Sequence, residues 1–288
     1  MKNIYGLKFY QDNINEENIK LIKKLLSDGK SVEFATYNDN LITEEEIEKM
    51  SLYNFDRDKI IYHADYSKFD FDLYFRARNK EDKMNQLIEE LKRAKSLNAG
   101  KMVLHIENSN PIPDTSDSKI EYFIIKTIEI FKKLYEKYEE ANEITILIEN
   151  TFSDIKYYER VIKSLIEKGY NVGFTLDIGH AKIWSGNSLN EWLEVTNNFI
   201  ELKIPVHYHI HCNNGDFDTH TPLYKGINES YFNDRITGLE DFYTIDLICD
   251  IKSIDEKHKN NKIVSVTLEV SIEEAIKDYK LLTGISLL

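Results

Sequence analysis

The hydrophobic pattern of the chain alternates between two periods. Short apolar runs with a period of two predict strands, and a longer stretch of helical period follows each of them. The eight predicted strands span 4–9, 31–36, 59–65, 101–108, 144–150, 171–178, 205–211 and 262–270. The eight predicted helices span 16–27, 43–50, 80–97, 118–138, 154–167, 188–202, 239–257 and 272–282. Eight strand and helix units predict a (β/α)8 TIM barrel, with a doubly wound open sheet as the alternative.

Two of the predicted helices begin at capping signals. Thr43 stands three residues before Glu46, and Ser188 stands three residues before Glu191. In such a pair the hydroxyl and the carboxylate each bond a free backbone N–H of the first helical turn. The two signals therefore support helix starts near 43 and 188.

The polar residues of the predicted strands share one face. In the run 205–211, three histidines alternate with apolar residues, and in 262–270 a Ser, a Thr and a Glu do the same. Alternate residues of a barrel strand face the helices or the interior, so these polar side chains are predicted to point inward. The ones at the C-terminal strand ends, where barrel active sites are built, are His63, His105, Glu149, Asp177, His211 and Glu269.

Four of the eight histidines lie between His207 and His220. In the loop after the strand, Asp218 and His220 form an Asp-x-His pair, a common spacing for two ligands of one ion. Polar side chains gathered inside a protein need partners, because a buried polar group without a hydrogen bond is costly. A divalent metal would be such a partner. A surface strand with a polar outer face is the alternative for this stretch alone.

Length and composition narrow the class of protein. We expect residues 1–288 to form a single barrel domain, with a long loop at about 212–238 over its mouth. The sequence has neither an apolar run near eighteen residues nor a charged and then apolar leader, so we expect no membrane partner and a cytoplasmic location. The formal net charge of −13 argues against broad, non-specific nucleic-acid binding, which depends on Lys and Arg.

Six segments near the predicted strand ends resemble the endonuclease IV family, the type 2 apurinic/apyrimidinic (AP) endonucleases among the xylose-isomerase-like TIM barrels. The segments are HADY (63–66), VLHIEN (103–108), LIENT (147–151), LDIGHA (176–181), HCNNGD with DFDTH (211–220) and TLEV (267–270). The resemblance runs through nearly the whole chain from the third strand onward. It implies a zinc-dependent phosphodiester or phosphate-ester hydrolase of DNA repair, with abasic-site DNA as the first candidate substrate.

The resemblance also implies three metal sites with nine ligands. The first site is His63, His105 and Glu149; the second is Glu149, Asp177, His211 and Glu269; the third is His180, Asp218 and His220. The implied catalytic residues are Glu149 as a bridge between ions, Glu269 as a group that orients the nucleophile, and His180. The resemblance thus implies two or three bound ions. Mixed His and carboxylate ligands favour zinc as the metal, with manganese as the alternative. Clustered divalent ions activate water and hold the oxygens of a phosphodiester in line.

Sugar or sugar-phosphate isomerases and epimerases of the same superfamily are the alternative. The resemblance to these enzymes involves a smaller subset of the same residues. One metal would bind Glu149, Asp177, His211 and Glu269, and His180 would contact the substrate. Two of the carboxylates would then move protons next to a carbonyl. A one-metal isomerase has no evident need for four further residues, and these favour the hydrolase: His63, His105, Asp218 and His220. A catalytically silent barrel that binds a metal or ligand is a third hypothesis.

The sequence departs from the endonuclease IV pattern in two places that concern DNA. Strand one runs into KFYQDN (8–13), where the family has a Gly-x-His-x-Ser stretch. The loop after strand two, TYNDNLITEEE (36–46), lacks Arg and contains four acidic residues, which would repel a phosphate backbone. The expected partner is therefore a small phosphorylated or sugar substrate, or damaged DNA. We expect a monomer or a small homo-oligomer.

Several other residues near the predicted mouth have two interpretations each. Tyr66 falls where the family inserts a Tyr into DNA, but a Tyr in a strand-end loop is usually a packing residue. Trp184 and Trp192 either wall the mouth or pack, and Glu33 either touches substrate or is an interior carboxylate. Five cationic residues are candidates for phosphate contacts or scattered surface charges: Arg76, Arg78, Lys182, Lys225 and Arg235.

Three histidines are predicted to lie outside the ligand set. His207 and His209 precede His211 on the inward face of its strand, and we expect them to be hydrogen-bonded interior histidines. His258 lies in the polar run DEKHKNN, which predicts an exposed helix end.

Overall fold

Eight parallel strands form a closed barrel. The computed structural model describes residues 3–37, 41–69, 71–106, 117–185, 187–213, 217–226 and 245–287, and the statements below concern these residues. The strands are β1 (Tyr5–Tyr10), β2 (Val32–Ala35), β3 (Ile60–His63), β4 (Lys101–His105), β5 (Thr145–Glu149), β6 (Val172–Asp177), β7 (Val206–Ile210) and β8 (Val264–Leu268). Each strand pairs with the next in the chain, and β1 also pairs with β8. This closure confirms the (β/α)8 barrel and rules out the open sheet.

Eleven α-helices occur in the described part of the chain. They are α1 (Glu16–Ser27), α2 (Glu44–Met50), α3 (Phe71–Arg76), α4 (Lys80–Ser96), α5 (Asp117–Lys137), α6 (Ile155–Glu167), α7 (Ile178–Trp184), α8 (Leu189–Glu201), α9 (Leu223–Gly226), α10 (Ile245–His258) and α11 (Ile272–Thr283). Eight of them correspond to the predicted helices, although residues 239–244 of the seventh lie outside the described ranges. The capping boxes at Thr43 and Ser188 are both formed.

The sequence pattern did not predict α3, α7 and α9. They contain six, seven and four residues, which is less than two helical turns each. Such short segments do not repeat the helical period of apolar residues often enough to be recognised. Strands β3 and β4 end at His63 and His105, earlier than predicted, while residues 107–116 lie outside the described chain. Of the loop predicted at about 212–238, residues 214–216 and 227–238 are likewise not described.

The apolar core has two unequal parts. Most buried apolar side chains lie between the barrel and its helices, including Tyr62, Met102 and Ile146. A separate cluster consists of only Ile61, Val103 and Leu147. These three residues stand two positions before His63, His105 and Glu149, on the same face of their strands. The predicted inward register is therefore correct, and polar side chains line the upper interior of the barrel.

The environment of His258 was predicted wrongly. This residue ends α10 and is buried, not exposed. It follows buried Ile251 and Ile254 by seven and four residues, so it falls on the inner face of the helix. Within the described ranges, no helix is both long and apolar enough to span a membrane.

Candidate metal centre

Seven of the nine predicted ligands line one cavity of about 310 Å³ at the C-terminal end of the strands. The seven are His63, His105, Glu149, His180, Asp218, His220 and Glu269. The other two, Asp177 and His211, are fully buried next to the cavity. Asp177 lies 3.9 Å from Nδ1 of His180, and His211 lies 3.8 Å from Asp218. Residues distant in sequence thus converge as expected for one site.

Four of the histidines share an orientation that suits metal binding. In each, Nδ1 faces a backbone carbonyl oxygen, which only accepts hydrogen bonds, so Nδ1 carries the proton and Nε2 turns toward the carboxylates. The carbonyls are Ala64 for His63 at 3.0 Å, Asn150 for His180 at 2.9 Å, Cys212 for His211 at 3.2 Å and Glu269 for His220 at 3.0 Å. This second contact fixes the tautomer and the ring orientation of metal-ligating histidines.

The three side chains of the first predicted site lie close together. Nε2 of His63 and Nε2 of His105 lie 3.2 and 2.8 Å from the same carboxylate oxygen, Oε2 of Glu149. Neighbouring strands place the three residues together, because His105 and Glu149 are register partners in β4 and β5. The three ligand atoms lie within 4.8 Å of one another, a separation that one ion can span.

The third predicted site is assembled by a loop. Cys212 and Thr221 form an isolated bridge with two N–H to carbonyl bonds of 2.7 Å, which holds Thr221 next to the end of β7. Oδ2 of Asp218 then lies 3.1 Å from Nε2 of His180 and 3.0 Å from Nε2 of His220. His220 has a φ of 43°, an uncommon value for a non-glycine residue that concentrates at functional sites.

The second predicted site is only partly assembled. Nε2 of His211 lies 3.1 Å from both carboxylate oxygens of Asp177. Glu269, however, lies against Lys8 and His209. The ligand atoms of Glu149, Asp177, His209 and Glu269 lie within 4.8 Å of one another, and so do those of His211, His220 and Glu269. His209 therefore joins His211 beside the carboxylates of this site.

A buried carboxylate oxygen indicates where a cation fits. Oδ1 of Asp218 is buried and has no hydrogen-bond partner within the described chain. Asp218 is a predicted ligand at the cavity, and a buried carboxylate oxygen without a donor is costly. Together with the imidazole Nε2 atoms around it, this carboxylate forms a mixed nitrogen and oxygen donor set suited to zinc or manganese.

The electrostatics of the third site follow from its crowded charges. Burial acts to lower the pKa of His180, but Asp177 and Asp218 outweigh it and raise the pKa to about 10. Against the same effect of burial, Glu269 and Asp218 raise the pKa of His220 to about 9. At neutral pH the metal-free site therefore holds protons on these rings, and a metal ion has to displace them.

Aromatic side chains form two walls of the cavity. On one wall, Tyr10 stacks on Tyr37 at 5.7 Å between ring centroids, and Tyr66 stacks on His105 at 5.4 Å. On the other wall, Trp184 lies 4.7 Å from the ring of His180. Tyr66 and Trp184 thus face the cavity.

The remaining residues with two interpretations lie away from the cavity surface. Trp192 is fully buried in the core of the barrel. Glu33 is also fully buried and contacts Lys8, His207 and His209, so it is an interior carboxylate.

The cationic candidates do not lie in the cavity wall. Arg76 and Arg78 are exposed, Lys182 is buried, and exposed Lys225 pairs with Glu274. Arg235 lies outside the described residues. Among the residues that the structure describes, the cavity lining includes no Lys or Arg.

Sequence reasoning missed Lys8, whereas the prediction that His209 is a hydrogen-bonded interior histidine is confirmed. Lys8 lies on the inward face of β1 and is fully buried, in contact with Glu33 and Glu269. A lone Lys in a strand pattern reveals nothing about its partners, which come from β2 and β8. The alternation of histidines in β7 did place His209 inside the barrel, but not among carboxylates.

Solved structures share the whole barrel with this chain at low sequence identity. The TTHB071 protein from Thermus thermophilus, soaked with ZnCl2, has a TM-score of 0.62 and 18% identity over 99% of this chain and 98% of that chain. A D-tagatose 3-epimerase-like protein has a TM-score of 0.58 and 17% identity over 99% and 96%. Endonuclease IV from Thermus thermophilus has a TM-score of 0.55 and 12% identity over 98% of both chains. These similarities establish the fold alone.

Sequence comparison gives the family. The uncharacterised protein MJ1614 of Methanocaldococcus jannaschii is 32% identical over 136 residues, or 46% of this chain, and the match spans about half of that relative, 48% of its length. The model of the xylose isomerase-like TIM barrel family matches residues 13–269, which include every predicted ligand. The chain belongs to the xylose isomerase-like TIM barrel family.

Proposed function

We propose that this chain is a divalent-metal-dependent phosphoester hydrolase of the endonuclease IV type. One observation supports this most directly: His63 and His105 gather on Glu149, while His180 and His220 gather on Asp218. The two clusters face one cavity, and a one-metal isomerase has no use for both of them. Abasic-site DNA is the first candidate substrate.

The chemistry proposed for the site follows from its donors. When bound, divalent ions supply the Lewis acidity that activates water and stabilises the charge developing on a phosphoester. Zinc suits the mixed His and carboxylate donors, with manganese as the alternative. His63, His105 and Glu149 would hold one ion, and His180, Asp218 and His220 would hold another.

The chain's own side chains orient the reaction. Glu149 is central to the first cluster and also lies 3.1 Å from His209, so it links the ligand set to the barrel interior. Glu269 lines the cavity and is held in place by Lys8 and His209, which suits its carboxylate to orient an attacking water. His180 donates through Nδ1 to the carbonyl of Asn150, which directs Nε2 into the site.

A sugar or sugar-phosphate epimerase or isomerase is the second candidate. The aromatic walls and the volume of about 310 Å³ suit a single sugar ring. The net charge of −13 and a lining without Lys or Arg among the described residues also favour a small substrate over a DNA duplex. One metal on Glu149, Asp177, Glu269 and a β7 histidine would serve this chemistry.

The experiment that separates the two functions uses Asp218→Asn. We would assay zinc-loaded and manganese-loaded protein on an abasic-site duplex, on bis(p-nitrophenyl) phosphate and on free ketoses. A hydrolase is expected to cleave at least one phosphoester and to lose on the order of 100-fold in rate in Asp218→Asn, because that residue joins two ligands. Undamaged duplex is the matched substrate control.

The control variant is Asp177→Asn, which removes a ligand of the one-metal set and, for the hydrolase, the helix cap that positions His180. It is expected to abolish either activity, so it reports whether the measured turnover belongs to this site. Ketose epimerisation that persists in Asp218→Asn but disappears in Asp177→Asn would overturn the hydrolase in favour of the epimerase.

A further inference from the structure

A buried lysine contacts one carboxylate of the predicted second metal site. Lys8 is 0% exposed, and its Nζ lies 3.2 Å from Oε1 of Glu33 and pairs with Oε1 of Glu269. Oε1 of Glu269, a carboxylate that was expected to bind metal, is therefore already paired with a side-chain cation of the chain itself.

His209 differs from the ligand-type histidines in its partners. Its Nε2 lies 3.0 Å from Glu33, and its Nδ1 lies 3.1 Å from Glu149 and 3.0 Å from Glu269. Neither nitrogen faces a backbone carbonyl in these contacts, and both face carboxylates. Carboxylates thus face both ring nitrogens of His209, whereas each ligand-type histidine directs one nitrogen to a backbone carbonyl and the other into the site.

Lys8 and His209 contact two carboxylates of the predicted second site. The predicted second site needs Glu149 and Glu269 as ligands, yet His209 contacts both and Lys8 pairs with Glu269. Like charges separated by a few ångströms in a buried setting repel strongly. A divalent ion at Glu269 would meet the Lys8 ammonium across a single carboxylate.

We propose that Lys8 is a built-in counter-cation that, with His209, replaces one metal ion, so that the native protein binds two ions instead of three. The two remaining ions lie on His63, His105 and Glu149 and on His180, Asp218 and His220. Lys8 is a positioning residue, because it holds Glu269 without lining the cavity. The inference rests on the metal centre of the proposed function but not on its substrate.

The number of bound ions tests this directly. Full-length protein is equilibrated with zinc, freed of excess metal, and analysed by elemental analysis for zinc per chain. We expect two zinc ions in the unchanged protein and three in Lys8→Met, which frees Glu269 and removes the opposing charge. Lys8→Arg restores a cation and is expected to return the count to two.

Lys101→Met is the matched control. Lys101 is also a buried lysine on the inward face of its strand, but it begins β4, at the opposite end from the cavity. Its zinc count is expected to stay at two. A gain of zinc in Lys8→Met but not in Lys101→Met therefore assigns the effect to the charge on Glu269.

Two results would overturn the inference. One is three zinc ions in the unchanged protein, with anomalous scattering placing one of them on Asp177, His211 and Glu269. The other is a folded Lys8→Met that still binds two. If Lys8→Met does not fold, the anomalous map of the unchanged protein decides alone, and an empty second site supports the inference. Absence of zinc from the unchanged protein overturns the metal centre itself, whereas two ions without phosphoester cleavage overturn only the hydrolase.

Discussion

The charge of each interior histidine depends on the groups that surround it. His207 and His209 stand two residues apart on β7, and both are fully buried. Burial lowers the pKa of His207 to about 4, although Glu33 opposes the shift. Burial also acts to lower the pKa of His209, but Glu269 and Glu33 raise it well above its usual value. The same side chain is thus neutral at one position and cationic at the next inward position.

Lys101 gives a pH dependence of stability. Burial lowers its pKa from 10.5 to about 8, so the unfolded chain binds the proton more tightly than the folded chain. Stability should therefore rise as pH increases from 8 to 10.5, by about 3 kcal/mol. Lys101→Met removes this dependence and is expected to be more stable than the unchanged protein at pH 7.

Urea unfolding of both proteins at pH 7.5 and 10.5 measures the effect. Other groups titrate in the same window, so the quantity to compare is the difference between the two proteins at each pH. A difference that does not change with pH would show that Lys101 is not the group responsible.

At the scale of elements, the junction of β6 and α7 organises the deepest part of the site. Asp177 ends β6 and caps α7, because its side chain accepts a 2.7 Å bond from the N–H of His180. The amide of Asn150 holds the backbone of Asp177 through bonds of 2.9 and 2.7 Å. A seven-residue helix therefore positions one predicted ligand at its cap and another in its first turn.

Gly179 in α7 makes room for His211. A Cβ at this position would lie 2.0 Å from Cε1 of His211, far inside contact distance. Gly179→Ala should therefore displace the ring and cost about 1 to 3 kcal/mol of stability. Zinc affinity should also fall if the displaced ring is a ligand.

A double-mutant cycle isolates this contact. In a His211→Ala background the ring is absent, and Gly179→Ala should cost about 1 kcal/mol less than in the unchanged protein. Equal costs in the two backgrounds, measured by urea unfolding, would contradict the proposed contact.

At the scale of the whole molecule, barrel closure brings charges from every part of the chain into one interior. Lys8 near the start of the chain meets Glu269 near its end because β1 pairs with β8. Glu33 on β2 reaches His207 and His209 on β7 across the interior. Ions that bind such a centre tie together strands from opposite sides of the barrel.

Zinc should therefore stabilise the whole fold. Free zinc at about 100 times its dissociation constant adds roughly 2.7 kcal/mol per site by mass action, which raises Tm by roughly 5 to 10 °C. Thermal unfolding with zinc and with a chelator measures this shift, and Asp218→Asn should show a smaller one.

The zinc-induced shift should also depend on pH. Because the pKa of His180 is about 10 and that of His220 about 9 without metal, zinc has to displace protons below these values. The shift should therefore grow as pH rises from 6 to 8. A shift that is equal at both values would contradict protonation of these rings.

The sequence alone determined the barrel and most of the candidate ligand set. Periods of two and 3.6 are local properties, and they predicted eight strands and eight helices whose closure the structure confirms. The inward register of β3, β4 and β5 followed from the same alternation, which requires no knowledge of neighbours. The three short helices escaped prediction because they are too short to show a period.

Only the tertiary structure decided which charged side chains pair with one another. His209 and His211 look equivalent in the alternation of β7, yet one faces carboxylates through both nitrogens and the other donates to a backbone carbonyl. The burial of Lys8 against Glu33 and Glu269 likewise depends on contacts between β1, β2 and β8. Ion pairing depends on distances across the closed barrel, and a strand's own sequence contains no information about those distances.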